Sequence, residues 1–271
     1  MSNYIQIEFQ NISQEQSDIL IAQLSEIGFE GFEEEENKLK AFIVSTVFDE
    51  KLLKNISAPL QLDFSKTIIE ETNWNQVWES NFDPVIVDDF VAVRADFHEP
   101  IKGVEFEIII TPKMSFGTGH HATTYMMMQQ MREIDFTNKS VFDFGTGTGV
   151  LAILVEKLGA KNILAIDNDS WSIENAAENI KRNDCTAINL RLADTAAMNG
   201  KFDIILANIN KNVILENLEV LSKQLSVNGY LVLSGLLIED EEDIITKSKK
   251  NGLKILKRDK RGNWLLLKLS P

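Results

Sequence analysis

Three glycines at alternate positions, Gly145, Gly147 and Gly149, stand where an apolar segment gives way to a helical pattern. Residues 141–144 predict a strand, and Val150–Leu158 predicts an amphipathic helix. Glycine permits a tight turn between them and lets a ligand come close to the backbone, where a Cβ atom would clash. We therefore expect a small-molecule site at this junction of strand and helix.

Two acids flank this turn and indicate which cofactor it suits. Asp143 stands just before the first glycine, and Asp167 ends the next predicted strand, where a carboxylate can accept hydrogen bonds from ribose hydroxyls. Dinucleotide-binding proteins use G-x-G-x-x-G, whose third glycine position is Val150 here. A carboxylate at Asp143 would repel a pyrophosphate but would attract an ammonium group. The turn therefore predicts S-adenosylmethionine, which carries an amine and a sulfonium and no phosphate.

A second candidate motif, residues 116–124, combines two glycines, three threonines and two histidines before a predicted helix. Such a loop offers backbone N–H groups and hydroxyls to a carboxylate, although a plain loop with a helix N-cap at Thr123 is the alternative. His121 is the candidate general base, because imidazole titrates near neutral pH. The alternative is that His121 only shapes the loop.

A third candidate, Asn208, follows the strand predicted at 203–207, at the sheet edge where ligands bind in this fold class. Its planar amide can use the carbonyl oxygen to hold an incoming amine, which makes Asn208 a candidate catalytic residue. The alternative is that it caps the next helix. Asp194, which follows the strand predicted at 187–192, and Gly147 are further candidate cofactor-binding residues.

From residue 100 onward, predicted strands alternate with predicted helices, a pattern that favours a parallel, doubly wound α/β sheet. The last two strands, Leu253–Leu256 and Trp264–Leu269, are joined by too few residues for a crossover helix. We expect them to pair antiparallel. The predicted strands are 105–110, 140–144, 162–167, 187–192, 203–207 and 229–234, and the predicted helices are 122–133, 149–158, 171–182, 211–225 and 239–250.

The first 65 residues predict a small α+β domain of ferredoxin-like type, because strand, helix, strand and helix patterns are followed by a strand near Leu60–Phe64. Trp74, Trp78 and Phe82 are spaced four apart, which predicts a helix in a connecting segment. The expected organisation is therefore a domain at 1–65, a linker at 66–99 and a cofactor-binding domain at 100–271.

The chain carries 41 acidic and 27 basic residues among 271, a net charge of −14. Residues 1–65 hold 12 of the acids and 4 of the bases, so more than half of the excess lies in the first domain. This charge disfavours stable nucleic-acid binding and favours basic partners, unless it only maintains solubility. Cys185 is the single cysteine, no metal site is expected, and no cationic leader or membrane-length apolar run occurs, so we expect a cytoplasmic protein.

The three motifs resemble those of the bacterial methyltransferases of large-subunit ribosomal protein eleven, the PrmA type. That family's A-F-G-T-G-T-H-P-T-T, D-x-G-x-G-S-G-I-L-A, V-D-x-D and A-N-I motifs correspond to Ser115–Thr124, Asp143–Ala152, Ile166–Asp169 and Ala207–Ile209. The resemblance covers nearly the whole chain and includes the late segment Leu233–Leu237. It implies a class I methyltransferase fold, mostly parallel with an antiparallel last strand.

The resemblance also implies that Thr124, Gly145, Asp167 and Asn208 contact S-adenosylmethionine. It implies methylation of lysine side chains and the N-terminal amine of one basic ribosomal protein. The chain departs from the family at His120–Ala122, at Thr146 and at Ser170-Trp171, where the family has Thr-His-Pro, a cysteine or similar residue, and a proline.

Other functions stay open on the sequence. An amino-group methyltransferase could act on another protein, a small molecule or a nucleic-acid base. However, base methylases usually follow the asparagine with two prolines and an aromatic residue, whereas Ile209–Lys211 follows here. A dinucleotide oxidoreductase and a non-catalytic module that binds S-adenosylmethionine are also compatible with a glycine-rich turn after a strand.

Overall fold

The computed structural model describes residues 4–35, 37–69, 83–111 and 119–271, and the chain divides into two compact units, 1–80 and 81–271. The helix predicted around Trp74, Trp78 and Phe82 lies outside the described residues. Within those residues, no helix is both long enough and apolar enough to span a bilayer. Nor do the described residues bring three or more His, Cys, Asp or Glu side chains together as metal ligands.

The first unit is a four-stranded antiparallel sheet, in the order β2-β3-β1-β4, with two helices. The alternating side chains Ile5, Ile7 and Phe9 of the first strand are buried against Leu20 and Leu24 of the first helix. Its elements are β1 (Tyr4–Gln10), α1 (Gln14–Glu26), β2 (Gly31–Glu35), β3 (Lys38–Val44), α2 (Glu50–Ser57) and β4 (Phe64–Ile69). This β-α-β-β-α-β succession contains the predicted elements, and the ferredoxin-like designation stays a prediction.

The strand predicted near Leu60–Phe64 begins only at Phe64 and continues into the segment predicted as linker. Gln61 has a φ of +55°, in the left-handed region, which interrupts any strand through residues 60–62. From Phe64 onward the chain pairs antiparallel with β1, where Phe64 lies opposite Phe9. The predicted strand is therefore displaced toward the C-terminus.

The second unit contains a seven-stranded sheet in the order β10-β9-β8-β11-β12-β14-β13. All neighbouring pairs run parallel except those made by β14, which runs antiparallel to both neighbours, so the predicted antiparallel last strand is confirmed. The strands are β8 (Ser140–Phe144), β9 (Asn162–Asp167), β10 (Ile188–Leu192), β11 (Phe202–Asn208), β12 (Leu225–Leu237), β13 (Lys254–Arg261) and β14 (Trp264–Ser270). The helices are α3 (Ala122–Met131), α4 (Val150–Lys157), α5 (Ser170–Arg182), α6 (Lys211–Gln224) and α7 (Glu241–Lys250).

The strand predicted at 105–110 forms, but its assignment to the large sheet is wrong. It is β7 (Phe106–Ile110), and it pairs parallel with β6 (Val91–Ala95) in a separate sheet completed by β5 (Val85–Val87). The free edge of β7, opposite β6, is hydrogen-bonded by the Asn183 side chain at the C-terminal end of α5. Ile109 N–H donates to Asn183 Oδ1 (3.0 Å). This small sheet spans the predicted boundary at residue 100.

The last hairpin is tighter than predicted. Residues 257–261, expected to form a loop, belong to β13, and only Gly262 and Asn263 join it to β14. Gly262 has a φ of +58°, which a two-residue hairpin turn of this kind requires. The strand predicted at Leu253–Leu256 forms, but it continues to Arg261. The charged run at 257–261 is not typical of a strand, yet β13 is an edge strand, where charged side chains are tolerated.

Candidate active site

A cavity of about 650 Å³ opens at the carboxyl ends of β8, β9 and β11. This is the edge where parallel α/β sheets bind ligands. Six of the eight residues proposed from the sequence line the cavity. They are His121, Gly145, Gly147, Asp167, Asp194 and Asn208.

The glycine turn between β8 and α4 has the conformation that its sequence requires. Gly145, Gly147 and Gly149 have φ values of +80°, +55° and +80°, which side chains with a Cβ atom rarely adopt. Gly147 N–H donates to Asp167 Oδ2 (2.8 Å), while Asp167 Oδ1 accepts from Asp169 N–H (3.1 Å). Asp167 therefore fixes the turn and presents its carboxylate to the cavity.

Asn208 is the last residue of β11, and only one of the two polar atoms of its side chain has a hydrogen-bond partner. The residue is 8% exposed, and its Nδ2 donates to Thr124 Oγ1 at 3.1 Å. Within the described part of the chain, its Oδ1 has no hydrogen-bond partner. The alternative role as a helix cap is wrong, because Asn210 caps α6 by accepting from Val213 N–H (3.1 Å). Asn208 Oδ1 is therefore a buried acceptor left open, without a hydrogen-bond partner, in a residue that lines the cavity.

Two glycines from distant parts of the sequence hold the backbone next to Asn208. A Cβ on Gly145 would lie 2.3 Å from Ile209 Cγ2, and a Cβ on Gly235 would lie 2.3 Å from the Ile209 carbonyl oxygen. Gly235, in β12, also has a φ of +79°. Both positions exclude a side chain, so the chain at Ile209 packs directly between β8 and β12.

Two of the proposed cofactor contacts lie outside the set of residues that line the cavity. Thr124 is 1% exposed, and its hydroxyl accepts from Asn208; Asp143 is fully buried. Thr146 Oγ1 donates to Asp143 Oδ2 (2.6 Å), while Asp143 Oδ1 lacks a partner among the described residues. Burial raises the pKa of Asp143 to about 7, although the Thr146 hydroxyl opposes this rise, and the charge of Asp167 adds to it. Direct contact of either residue with a cofactor stays a prediction.

His121 is the N-cap of α3, in place of the Thr123 cap expected from the sequence. Its Nδ1 accepts from Thr123 N–H at 3.4 Å and lies 2.7 Å from Thr123 Oγ1. The imidazole also packs edge-to-face on Trp264, with ring centroids 4.4 Å apart. This arrangement accounts for a shaping role of His121, while residues 116–118 of the predicted loop lie outside the described part of the chain.

Sequence reasoning missed several residues that line the cavity, including Asn168, Glu216, Gly235 and Trp264. Asn168 and Gly235 lie in two of the recognised motifs, Ile166–Asp169 and Leu233–Leu237. Their position at the ends of predicted strands could have identified them. Trp264 reaches the cavity only because β14 pairs beside β12. Glu216 is two turns into α6, on the same face as Val213, and no short motif marks it.

The lining residues fit S-adenosylmethionine. The cavity volume is in the range of small-molecule sites, and three carboxylates, from Asp167, Asp194 and Glu216, line it with no Lys or Arg among the described lining residues. A carboxylate at the end of β9 suits ribose hydroxyls, and the open Asn208 Oδ1 suits a donor such as an amine. The site thus matches a positively charged ligand with a ribose.

Comparison with known proteins gives one consistent family. The model of the ribosomal protein L11 methyltransferase family (PrmA) matches residues 3–270. The ribosomal protein L11 methyltransferase of Porphyromonas gingivalis is 40% identical over 94% of this chain and 90% of its own length. The one from Chlorobaculum tepidum is 36% identical over 99% and 97%. The crystal structure of ribosomal protein L11 methylase from Lactobacillus delbrueckii subsp. bulgaricus is similar with a TM-score of 0.64 and 30% identity, covering 70% of this chain and 98% of that one.

The fold, the cavity and these relatives define a class I methyltransferase whose methyl donor is S-adenosylmethionine. The seven-stranded sheet with its single antiparallel strand is the fold that the sequence predicts. Within this class, the chain belongs to the ribosomal protein L11 methyltransferase family, PrmA.

Proposed function

We propose that the protein transfers methyl groups from S-adenosylmethionine to lysine side-chain and N-terminal amines of ribosomal protein L11. The observation that carries this proposal is the buried Asn208 amide, which lines the cavity and whose Oδ1 has no hydrogen-bond partner among the described residues. An open acceptor of this kind suits a nucleophile that carries N–H groups. The substrate is inferred from the relatives, which are named for methylation of this ribosomal protein.

Some of the proposed cofactor-binding residues would contact S-adenosylmethionine directly, and others would act from behind the residues that contact it. Asp167 would accept from the ribose hydroxyls, Asp194 would contact the adenosine part, and Gly145 and Gly147 let the cofactor approach the backbone. We assign to Asp143, behind the turn, the charge that favours the cofactor's ammonium group. When bound, S-adenosylmethionine supplies an electrophilic methyl group on a sulfonium.

Asn208 would position the amine by accepting one of its N–H groups, with Thr124 preventing rotation of the amide. Orientation of this kind is worth on the order of 7–11 kcal/mol in well-aligned systems. An amine that attacks must first lose a proton, which costs a lysine about 4–5 kcal/mol at pH 7. In our proposal the proton leaves to water or to His121, which lines the same cavity.

The acidic first 65 residues are proposed as the substrate-recognition domain, joined to the methyltransferase domain by the segment at 66–99. Glu33 and Glu34 lie on the edge strand β2, and Glu30 precedes it, so acids are concentrated at one edge of the first unit's sheet. A basic protein would be attracted to such a surface, whereas a nucleic acid would be repelled. With a ribosomal protein as substrate, we expect the reaction to occur in the cytoplasm, where ribosomal proteins are made.

The test incubates the protein with methyl-labelled S-adenosylmethionine and, separately, purified L11, total ribosomal proteins and ribosomal RNA. We expect label on L11 alone, and mass spectrometry should locate it on lysine side chains and the N-terminal amine. Label on RNA, or no label on L11, would contradict the proposed substrate. Raising the salt concentration should increase KM for L11 more than it lowers kcat, because long-range attraction is screened.

A further inference from the structure

The cavity has a carboxylate that no part of the proposed chemistry uses. Glu216 lines the cavity and is exposed, so it stands at the mouth. It lies six residues beyond the Asn210 N-cap of α6, a rise of roughly 9 Å along the helix. Asn208 lies just before that N-cap, so this length of helix separates Glu216 from the Asn208 amide.

Glu216 has no basic partner among the residues that the structure describes. The positions three and four residues away on α6 are Asn212, Val213, Glu219 and Val220, none of which is basic. Within the described ranges, Glu216 makes no ion pair with any other element. The two lysines of α6 are engaged elsewhere: Lys211 with Asp240 and Asp243, and Lys223 with Glu219.

The next acid on the same helix provides the contrast. Glu219 is exposed as well, but it forms an ion pair with Lys223 at 2.7 Å and does not line the cavity. One acid of α6 is thus neutralised by its own helix, while the acid at the cavity mouth is not. An unpaired carboxylate in the same cavity as Asn208, which is only 8% exposed and whose Oδ1 is open, favours a cationic ligand at the mouth.

We propose that Glu216 is a specificity-determining residue that binds a positively charged side chain of the protein substrate, next to the amine that is methylated. This inference rests on the proposed function. The donor does not require Glu216, because Asp167 and Asp194 already serve the strand ends where the adenosine part would lie. The rise along α6 separates Glu216 from Asn208, where the reacting nitrogen would bind, so we assign Glu216 to a neighbouring Lys or Arg of the substrate.

The test compares Glu216→Gln with the matched control Glu219→Gln, which removes the same charge from the same helix. With L11 as substrate and saturating S-adenosylmethionine, Glu216→Gln should raise KM about two- to fivefold, the range for one exposed ion pair. Glu219→Gln should leave KM at the wild-type value, and Glu216→Asp should restore part of the loss. Because the ion pair is screened, the difference between the two Gln variants should shrink at high salt.

Calorimetric binding of S-adenosylmethionine separates this role from donor binding. We expect the same Kd for the wild-type protein and Glu216→Gln. A weaker Kd, an unchanged KM for L11, or an equal change in both Gln variants would overturn the assignment of Glu216. If the wild-type protein does not label L11, the proposed function fails, and that result is distinct from labelling that is insensitive to Glu216.

Discussion

The carboxyl ends and the amino ends of the strands form two opposite edges of the seven-stranded sheet, here called the carboxyl edge and the amino edge. Each carries a carboxylate, and the pKa values of the two are shifted in opposite directions. At the carboxyl edge, Asp143 of β8 is fully buried with one oxygen unpartnered among the described residues, and its pKa rises to about 7. At the amino edge, Asp203 of β11 accepts from Ser140 N–H and Ser140 Oγ, both at 2.9 Å. The Ser140 backbone N–H is the main cause that holds the pKa of Asp203 below its usual value.

Cavity size does not separate the two edges. A second cavity of about 570 Å³ opens at the amino edge, between Ser140, Asn162 and Phe202, against about 650 Å³ at the carboxyl edge. What differs is hydrogen bonding. Ser140 and Asp203 at the amino edge bond to each other, whereas Asn208 Oδ1 at the carboxyl edge has no partner among the described residues. The unpartnered Asn208 acceptor and the glycine turn, not the cavity volume, therefore distinguish the functional edge.

The largest expected effect is on stability and tests the contrast between the two carboxylates. Because the folded-state pKa of Asp143 is raised, the native protein loses stability as pH rises from about 4 to about 7. Asp143→Asn removes this loss and should be more stable than the wild-type protein at pH 8, by up to about 4 kcal/mol. Urea unfolding at intervals from pH 4 to pH 8 measures the difference, which should vanish near pH 4.

Asp203→Asn is the matched control, and its sign is opposite. Since the folded-state pKa of Asp203 is lowered, its contribution is present above the unfolded-state pKa and is lost as pH falls through the folded-state pKa. The variant should therefore be less stable than the wild-type protein at neutral pH, with the deficit shrinking in acid. The same pH trend in both variants would remove the contrast between the edges.

The next largest effect concerns turnover at the open amide. Asn208→Ala should lower kcat on L11 by about 10²-fold, since the amine loses its positioning acceptor, while the protein still folds. Ser140→Ala, which removes a hydroxyl at the amino edge, should leave kcat unchanged and cost about 1 kcal/mol of stability. Initial rates and urea unfolding of both variants provide the measurements. An Asn208→Ala protein with wild-type kcat would show that the assigned role is wrong.

Two glycine-to-alanine substitutions test how closely the backbone is packed at the carboxyl edge. Gly235 and Gly252 both have a φ of +79°, so alanine at either position carries the same backbone strain of about 1–2 kcal/mol. Only at Gly235 would the new Cβ meet the backbone of Ile209, whereas nothing lies within 4 Å at Gly252. We expect Gly235→Ala to lose about 1–3 kcal/mol more in urea unfolding, and to lose activity, because Asn208 is displaced with Ile209. Equal losses would mean that Ile209 moves freely.

Much of this edge was predictable from local sequence. The glycine turn, Asp167 and Asn208 each follow an apolar strand directly, and the carboxyl ends of parallel strands converge at one edge. The approach of Gly235 and Trp264 was not predictable, because it depends on the pairing of β12 with β14. The assignment of the strand predicted at 105–110 to the large sheet is wrong, because its partner β6 is buried along its whole length and has no alternating pattern that would mark it as a strand.

The smallest expected effect concerns His121 and tests whether this polar residue at the carboxyl edge takes part in the reaction or only caps a helix. His121 Nδ1 already accepts from the first turn of α3, and its ring packs on Trp264, so its capping role accounts for its position. Asparagine is also a good N-cap, so His121→Asn should keep kcat within about threefold and leave the shape of the pH–rate profile unchanged. The lost ring contact should cost about 0.5–1.5 kcal/mol of stability. A kcat lower by tenfold or more, with one limb of the pH profile lost, would instead make His121 the base, and the open acceptors would not be the only reactive groups of this edge.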